Sequence, residues 1–231
     1  MNINKWAKKF VRGILTEYRE RYRFWKPGFM VFGSPVITHP DLVIIGFQPG
    51  GNKKDFDEYK DKIFKLPNRL VFLDAGRRKP FARNLIDLLN AGGKKLLTKS
   101  VYYNLILFRA PNAKRYWCNR NKLCKPKRLE MEEFCFRKAR EIVEELKPKK
   151  VLLIGFDTYF LVNRERILGA TRCIKCHEIK RGKKRRVRLA ITANCARRKV
   201  FVTSHLSGSW ISKKDLLRLQ DKFREWISEK K

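Results

Sequence analysis

Residues 40–52 read Pro-Asp-Leu-Val-Ile-Ile-Gly-Phe-Gln-Pro-Gly-Gly-Asn, and the reading of this stretch governs the rest of the chain. Residues 41–45 are a short apolar, β-branched run of the kind that forms a buried strand, and Gly46, Pro49, Gly50 and Gly51 break it into a loop. At the carboxyl end of a parallel strand, a backbone without Cβ atoms approaches a ligand closely, and its N–H groups bind a phosphate or a base edge. Taken alone, the same stretch is also a tight turn from strand to helix with no ligand. Its surroundings decide between the two.

Three more apolar runs read as strands: residues 101–108 (V-Y-Y-N-L-I-L-F), 151–155 and 199–203 (K-V-F-V-T). Between them lie helical patterns. Residues 80–90 open on Pro80 and stop before Gly92-Gly93, residues 130–146 stop before Pro148, and residues 157–168 follow the third strand. Ahead of them, residues 4–25 carry Trp6, Phe10, Ile14, Tyr18 and Tyr22 four apart, an amphipathic helix with a core-facing stripe that Pro27 ends. Residues 53–69 read as a charged loop with a short helix, and residues 113–128 as a basic, aromatic loop. Residues 172–179 and 185–193 read as a hairpin across Arg181 to Lys184, a tip that is either a turn or a disordered basic segment. Ser212 and Asp215 make a capping box for a terminal helix with Leu216, Leu219, Phe223 and Trp226 at helical spacing. Strands alternating with helices imply an α/β fold: a three-layer αβα sandwich around a central four-stranded, mainly parallel sheet. We expect one domain over residues 1–231, with an N-terminal helix in 1–27 and a core in 40–229.

The charge is extreme. Against 22 Asp plus Glu stand 56 Lys plus Arg, a formal +34, while 43% hydrophobic residues mark a globular chain. Basic residues dispersed among aromatics fit a folded surface for a polyanion, so DNA is the expected partner, with no membrane and a monomeric protein. No apolar window approaches a membrane span and no signal-peptide pattern opens the chain, so a cytoplasmic setting is expected. There, six Cys are thiols or metal ligands rather than disulfides.

Three strand ends carry polar side chains that one crevice would unite: Gln48, Asn104 and His205. Gly46-Phe47-Gln48-Pro49-Gly50, Asn104 in Y-Y-N-L, and His205-Leu206-Ser207 together resemble the uracil-DNA glycosylase superfamily, whose motifs are G-x-x-P-G or G-x-x-P-Y, a strand Asn, and H-P-S or H-x-S. Phe81-Ala82-Arg83-Asn84 with its Leu-rich helix and the V-L-L-I-G strand fall where that family has equivalents, so the resemblance covers about residues 41–226. It implies an enzyme that flips a base from the stack and hydrolyses its N-glycosidic bond, acting on uracil-like or bulkier damaged bases in repair, or on a hypermodified pyrimidine in phage defence. An idle nucleic-acid-binding protein on the same fold is the competing expectation, and a structural basic protein a third.

On this resemblance His205 and Gln48 are the catalytic positions, and Asn104, Gly46, Phe47, Pro49, Gly50, Gly51, Asn52 and Phe81 surround the base. Asn104 offers a donor and an acceptor to a pyrimidine edge. His205 donates to the base oxygen as negative charge collects there. Ser207, Ser209, Arg115, Lys183 and Arg185 face DNA, and Leu206 and Trp210 are the apolar wedges. Trp210 is also readable as packed under the terminal helix. Gln48 departs from the family, where Asp or Asn commonly orients the water. Gln is no base, and Asn52 and Asp55 are nearby substitutes. No cofactor is implied. Cys135 falls where some thermophilic members ligate an iron–sulfur cluster, but the N-terminal C-x-x-C is missing and Phe108-Arg109 stands at another ligand position, so no cluster is expected. Cys118, Cys124, Cys173 and Cys176 offer an alternative, a tetrahedral zinc site, against their reading as free thiols.

Overall fold

Strand β1, Leu42–Gly46, forms where the β-branched run requires it and is buried along its whole length. The computed structural model describes residues 2–51, 53–59, 65–75, 79–181, 185–195, 197–207 and 211–229. Five further strands follow: β2 Ser100–Asn104, β3 Lys150–Ile154, β4 Thr171–Arg181, β5 Arg185–Cys195 and β6 Arg198–Thr203. Among the described residues the six make one mixed sheet in the order β2-β1-β3-β6-β5-β4. β2, β1, β3 and β6 run parallel, and β5 and β4 are antiparallel additions beyond β6. The sequence led to a four-stranded, mainly parallel sheet; the sheet is six-stranded and mixed instead. A strand ending at β6 would leave that edge of backbone N–H and C=O groups open. β5 closes it, pairing Ala190 with Thr203 through Cys195 with Arg198.

The helices are α1 Ile3–Glu17, α2 Lys53–Tyr59, α3 Val71–Ala75, α4 Pro80–Ala91, α5 Leu96–Lys99, α6 Ala113–Asn121, α7 Lys125–Leu146, α8 Phe156–Arg164 and α9 Lys213–Ser228. Successive strand side chains point to opposite faces, and both faces are apolar here, so helices cover both. Val43, Ile45, Val151, Leu153, Val200 and Val202 join α1, α7 and α8 in one core, with Phe10, Ile14, Phe134, Ile142 and Val162 among its members. Leu42, Ile44, Leu152, Ile154 and Phe201 join α4 and α9 in the other, against Leu85, Leu88, Leu219 and Phe223. None of the described helices is long and apolar enough to cross a membrane.

Three local expectations change. The N-terminal helix gives way at Glu17 to a π-helical turn, Tyr18–Tyr22, rather than running regularly to Trp25. Residues four apart drift by about 40° around an α-helix at each step. The wider turn reverses that drift, and Tyr18 and Tyr22 both stay buried. Residues 113–128 are not a loop but α6 and the first turn of α7. Asn112 caps α6 by accepting from the Arg115 N–H at 2.8 Å, and only Tyr116 of this helix is buried, which leaves no apolar period to read. β2 ends at Asn104, short of Phe108. From there Leu105 and Ile106 follow the loop after β1, donating to Gly46 O at 2.8 Å and Phe47 O at 2.9 Å. The outer edge of β2 is covered by residues 29–34, with Met30 N–H on Leu107 O at 3.0 Å and Gly33 N–H on Tyr102 O at 2.9 Å.

Candidate functional site

Parallel pairing brings the carboxyl ends of β2, β1, β3 and β6 to one edge of the sheet, with Gly46 opposite Asn104 and Ile154 opposite Thr203. The Gly-rich loop, Asn104, the start of α8 and residues 204–207 all leave the sheet there. Asn104 is 1% exposed. Its Oδ1 accepts from the Tyr102 hydroxyl at 2.7 Å, and its Nδ2 has no hydrogen-bond partner among the described residues. Gly46 lies flat against both groups: a Cβ there would stand 2.5 Å from Asn104 Oδ1 and 2.8 Å from the Tyr102 hydroxyl. The close approach expected of this glycine is therefore made to the chain's own side chains.

The rest of the first loop is fastened to the segment after β2. Gln48 uses both ends of its carboxamide on Ala110, accepting from Ala110 N–H at 3.1 Å and donating to Ala110 O at 3.4 Å. Ala110 N–H also reaches Pro49 O at 3.2 Å. Phe47 is half-buried between Tyr116 and Trp117, with ring centroids 5.7 and 5.3 Å away. Pro49 is buried, Gly50 is exposed, and Gly51 takes φ +116°, which favours glycine. A Cβ on Gly51 would lie 2.9 Å from an Arg109 guanidinium nitrogen and 3.1 Å from Asp55 Oδ2, so a cation and a carboxylate flank this turn.

His205 has its Nδ1 turned to Ser207, whose backbone N–H donates at 3.2 Å and whose hydroxyl stands at 2.9 Å. A ring nitrogen that accepts an N–H carries no hydrogen, so the neutral imidazole has its proton on Nε2. Desolvation holds His205 below the ordinary imidazole value, with the Asp157 carboxylate pulling it back up. Its ring meets Phe81 at 5.7 Å; Phe81 meets Phe72 at 5.5 Å, and Phe72 meets Tyr102 at 4.5 Å. Rings thus connect the third motif to the second.

Leu206 corrects an expectation. It is 0% exposed and belongs to the α4–α9 core, so its side chain is no exposed wedge. Its carbonyl accepts from buried Asn84 Nδ2 at 2.8 Å, which ties the loop to α4. Arg115 is exposed on α6. Asn52, Lys183, Ser209 and Trp210 lie outside the described residues, as does the Arg185 side chain. Cys118, Cys124, Cys173 and Cys176 are free and exposed, and among the described residues no three His, Cys, Asp or Glu converge as metal ligands, so these thiols do not assemble the alternative zinc site. Cys135 is buried, its sulfur accepting from Leu107 N–H at 3.4 Å, and burial pushes its thiol up to about 12.

Two side chains that act on the candidate residues, Tyr102 on Asn104 and Asp157 on His205, were not singled out from the sequence. Tyr102 had a signal, since it precedes Asn104 by two and so shares its strand face. Asp157, in the first turn of α8, had none beyond its position after β3. No protein-family model matches this chain, and no curated protein matches it in sequence.

Proposed function

We propose that this protein is a DNA glycosylase, which takes a damaged or modified base out of the stack and hydrolyses its N-glycosidic bond. The observation that carries the reading is a carboxamide and an imidazole at one sheet edge: Asn104 with an unpartnered Nδ2 among the described residues, and His205 with Nδ1 held by Ser207. The three-motif resemblance and the formal +34 support it, and the parallel set β2-β1-β3-β6 supports a uracil-DNA glycosylase-like sheet extended by β5 and β4.

In this reading Asn104 bonds the base edge while the neutral His205 donates its Nε2–H to the base oxygen. As the glycosidic bond breaks, the bonding pair leaves with the base and the sugar becomes cationic. A fixed donor at the oxygen that gains charge lowers the barrier without reorganising solvent. Water then adds to the cationic sugar and gives up one proton, which the departed anionic base takes up directly or through solvent. Gln48 is fastened to Ala110 and is no base, so the reaction depends on stabilising the leaving base rather than on proton abstraction in the first loop.

That same engagement of Gln48 favours a second reading, a binding protein that recognises an extruded base and cuts nothing. Duplex oligonucleotides carrying uracil, hypoxanthine or a hypermodified pyrimidine, incubated with the protein and then cleaved in alkali at abasic sites, separate the two. We expect cleavage at one of these bases and a loss of roughly 10² to 10³ in single-turnover rate for His205→Ala. Tight binding with no abasic product leaves the second reading.

A further inference from the structure

We infer that Tyr102 is the positioning residue that sets the class of base this site accepts: its phenol fixes the Asn104 carboxamide with Nδ2 toward the ligand, selecting a base with a carbonyl at pyrimidine C4 or purine C6 over one with an amine there. The inference rests on the reading of the site as one that receives a base.

A carboxamide turned by half a revolution exchanges its donor and acceptor, so an Asn reads a base only if something forbids the turn. Tyr102 supplies this. Its hydroxyl donates to Asn104 Oδ1 at 2.7 Å and has no other acceptor among the described residues. Turning the amide would set Nδ2 against the phenol oxygen and strand the hydroxyl proton in the interior, which is costly. Burial holds the phenol well above its usual value, so it remains a donor throughout the physiological range.

The phenol itself is clamped. Gly33 and Gly46 lie on Tyr102 so closely that a Cβ on either would fall 2.4 Å from Tyr102 Cδ1 or 2.8 Å from its hydroxyl. Phe72 meets the ring edge-on at 4.5 Å. The Tyr102 N–H donates to Ser34 Oγ at 2.8 Å, and its carbonyl accepts from Gly33 at 2.9 Å. Asn104 Nδ2, unpaired among the described residues at a strand end, is left free to take an acceptor from outside. Uracil and hypoxanthine bring a carbonyl beside a ring N–H. Cytosine and adenine bring an amine at that same edge position, pyrimidine C4 or purine C6, and donor would meet donor.

The test compares the whole parent protein with Tyr102→Phe in two assays: binding of free uracil and free cytosine followed by NMR, and excision from duplexes carrying uracil, hypoxanthine, cytosine or adenine. We expect the parent to prefer carbonyl bases and the variant to lose roughly tenfold of that preference, on the scale of one buried hydrogen bond. General loosening of the fold would lower both classes together and leave their ratio alone. Should Tyr102→Phe fail to fold, Gly46→Ala, which crowds the same contact, is expected to move the ratio in the same direction. A parent with no preference in either assay, or a variant that keeps the parent's preference, overturns the inference. A preference in free-base binding without abasic product from any duplex supports the role of Tyr102 and removes the glycosylase reading instead.

Discussion

His205 shows how a side chain that reaches solvent is still held in one state. Desolvation of the ring favours the neutral form, so its folded pKa lies below the ordinary 6.5, and Ser207 N–H on Nδ1 fixes the tautomer of that form. The sign follows directly. Protonation is harder in the folded chain than in the unfolded one, so the stability this group contributes is present above about pH 6.5 and is lost as pH falls through the folded value. Asp157 is the opposing influence. Asp157→Asn removes a carboxylate that favours imidazolium, and the His205 midpoint, followed by NMR titration, is expected to drop below that of the parent. An unchanged midpoint would mean that Asp157 does not act on the ring.

At the scale of elements, the loop after β6 is held by its own burial. Leu206 lies wholly inside the α4–α9 core, and Asn84 of α4 donates to its carbonyl. Leu206→Ala leaves a cavity and is expected to cost about 2–5 kcal/mol in urea unfolding. Asn84→Ala strands a buried carbonyl, at about 1–3 kcal/mol. The two changes share one loop, so their sum is expected to differ from the double variant. If Leu206→Ala unfolds like the parent but binds DNA poorly, the residue is an exposed wedge after all.

For the molecule as a whole, the formal +34 dominates. Ion pairs among the described residues include Glu17 with Arg137 at 3.1 Å and Lys138 at 3.3 Å, Glu132 with Arg120 at 2.5 Å, and on α9 Glu225 with Lys222 at 2.8 Å and Asp221 with Arg224 at 2.9 Å. With 22 Asp plus Glu against 56 Lys plus Arg, one-to-one pairing would still leave most of the basic side chains without an acidic partner. If the remainder track a DNA backbone, log affinity falls linearly with log salt, by roughly 0.9 per phosphate contact. Fluorescence anisotropy with a labelled duplex across a salt series measures the slope. A flat line would separate the charge from nucleic acid.

The sequence by itself determined the elements whose pattern is local. The β-branched run at 42–46, the Pro80 start of α4, the Ser212 cap on α9 and the β4–β5 hairpin all form where their residues require. Each depends on interactions within a few residues, so composition and spacing carry it. The tertiary structure alone decided what lies far apart in the chain. Gln48 meets Ala110 across 62 positions, Asn84 meets Leu206 across 122, and the hairpin joins the sheet only because β6 returns beside β5. It also decided that Gly33 and Gly46 close on one tyrosine. Such contacts are set by where the strands are stacked, and a period of two or 3.6 residues identifies a buried face without saying what it will touch.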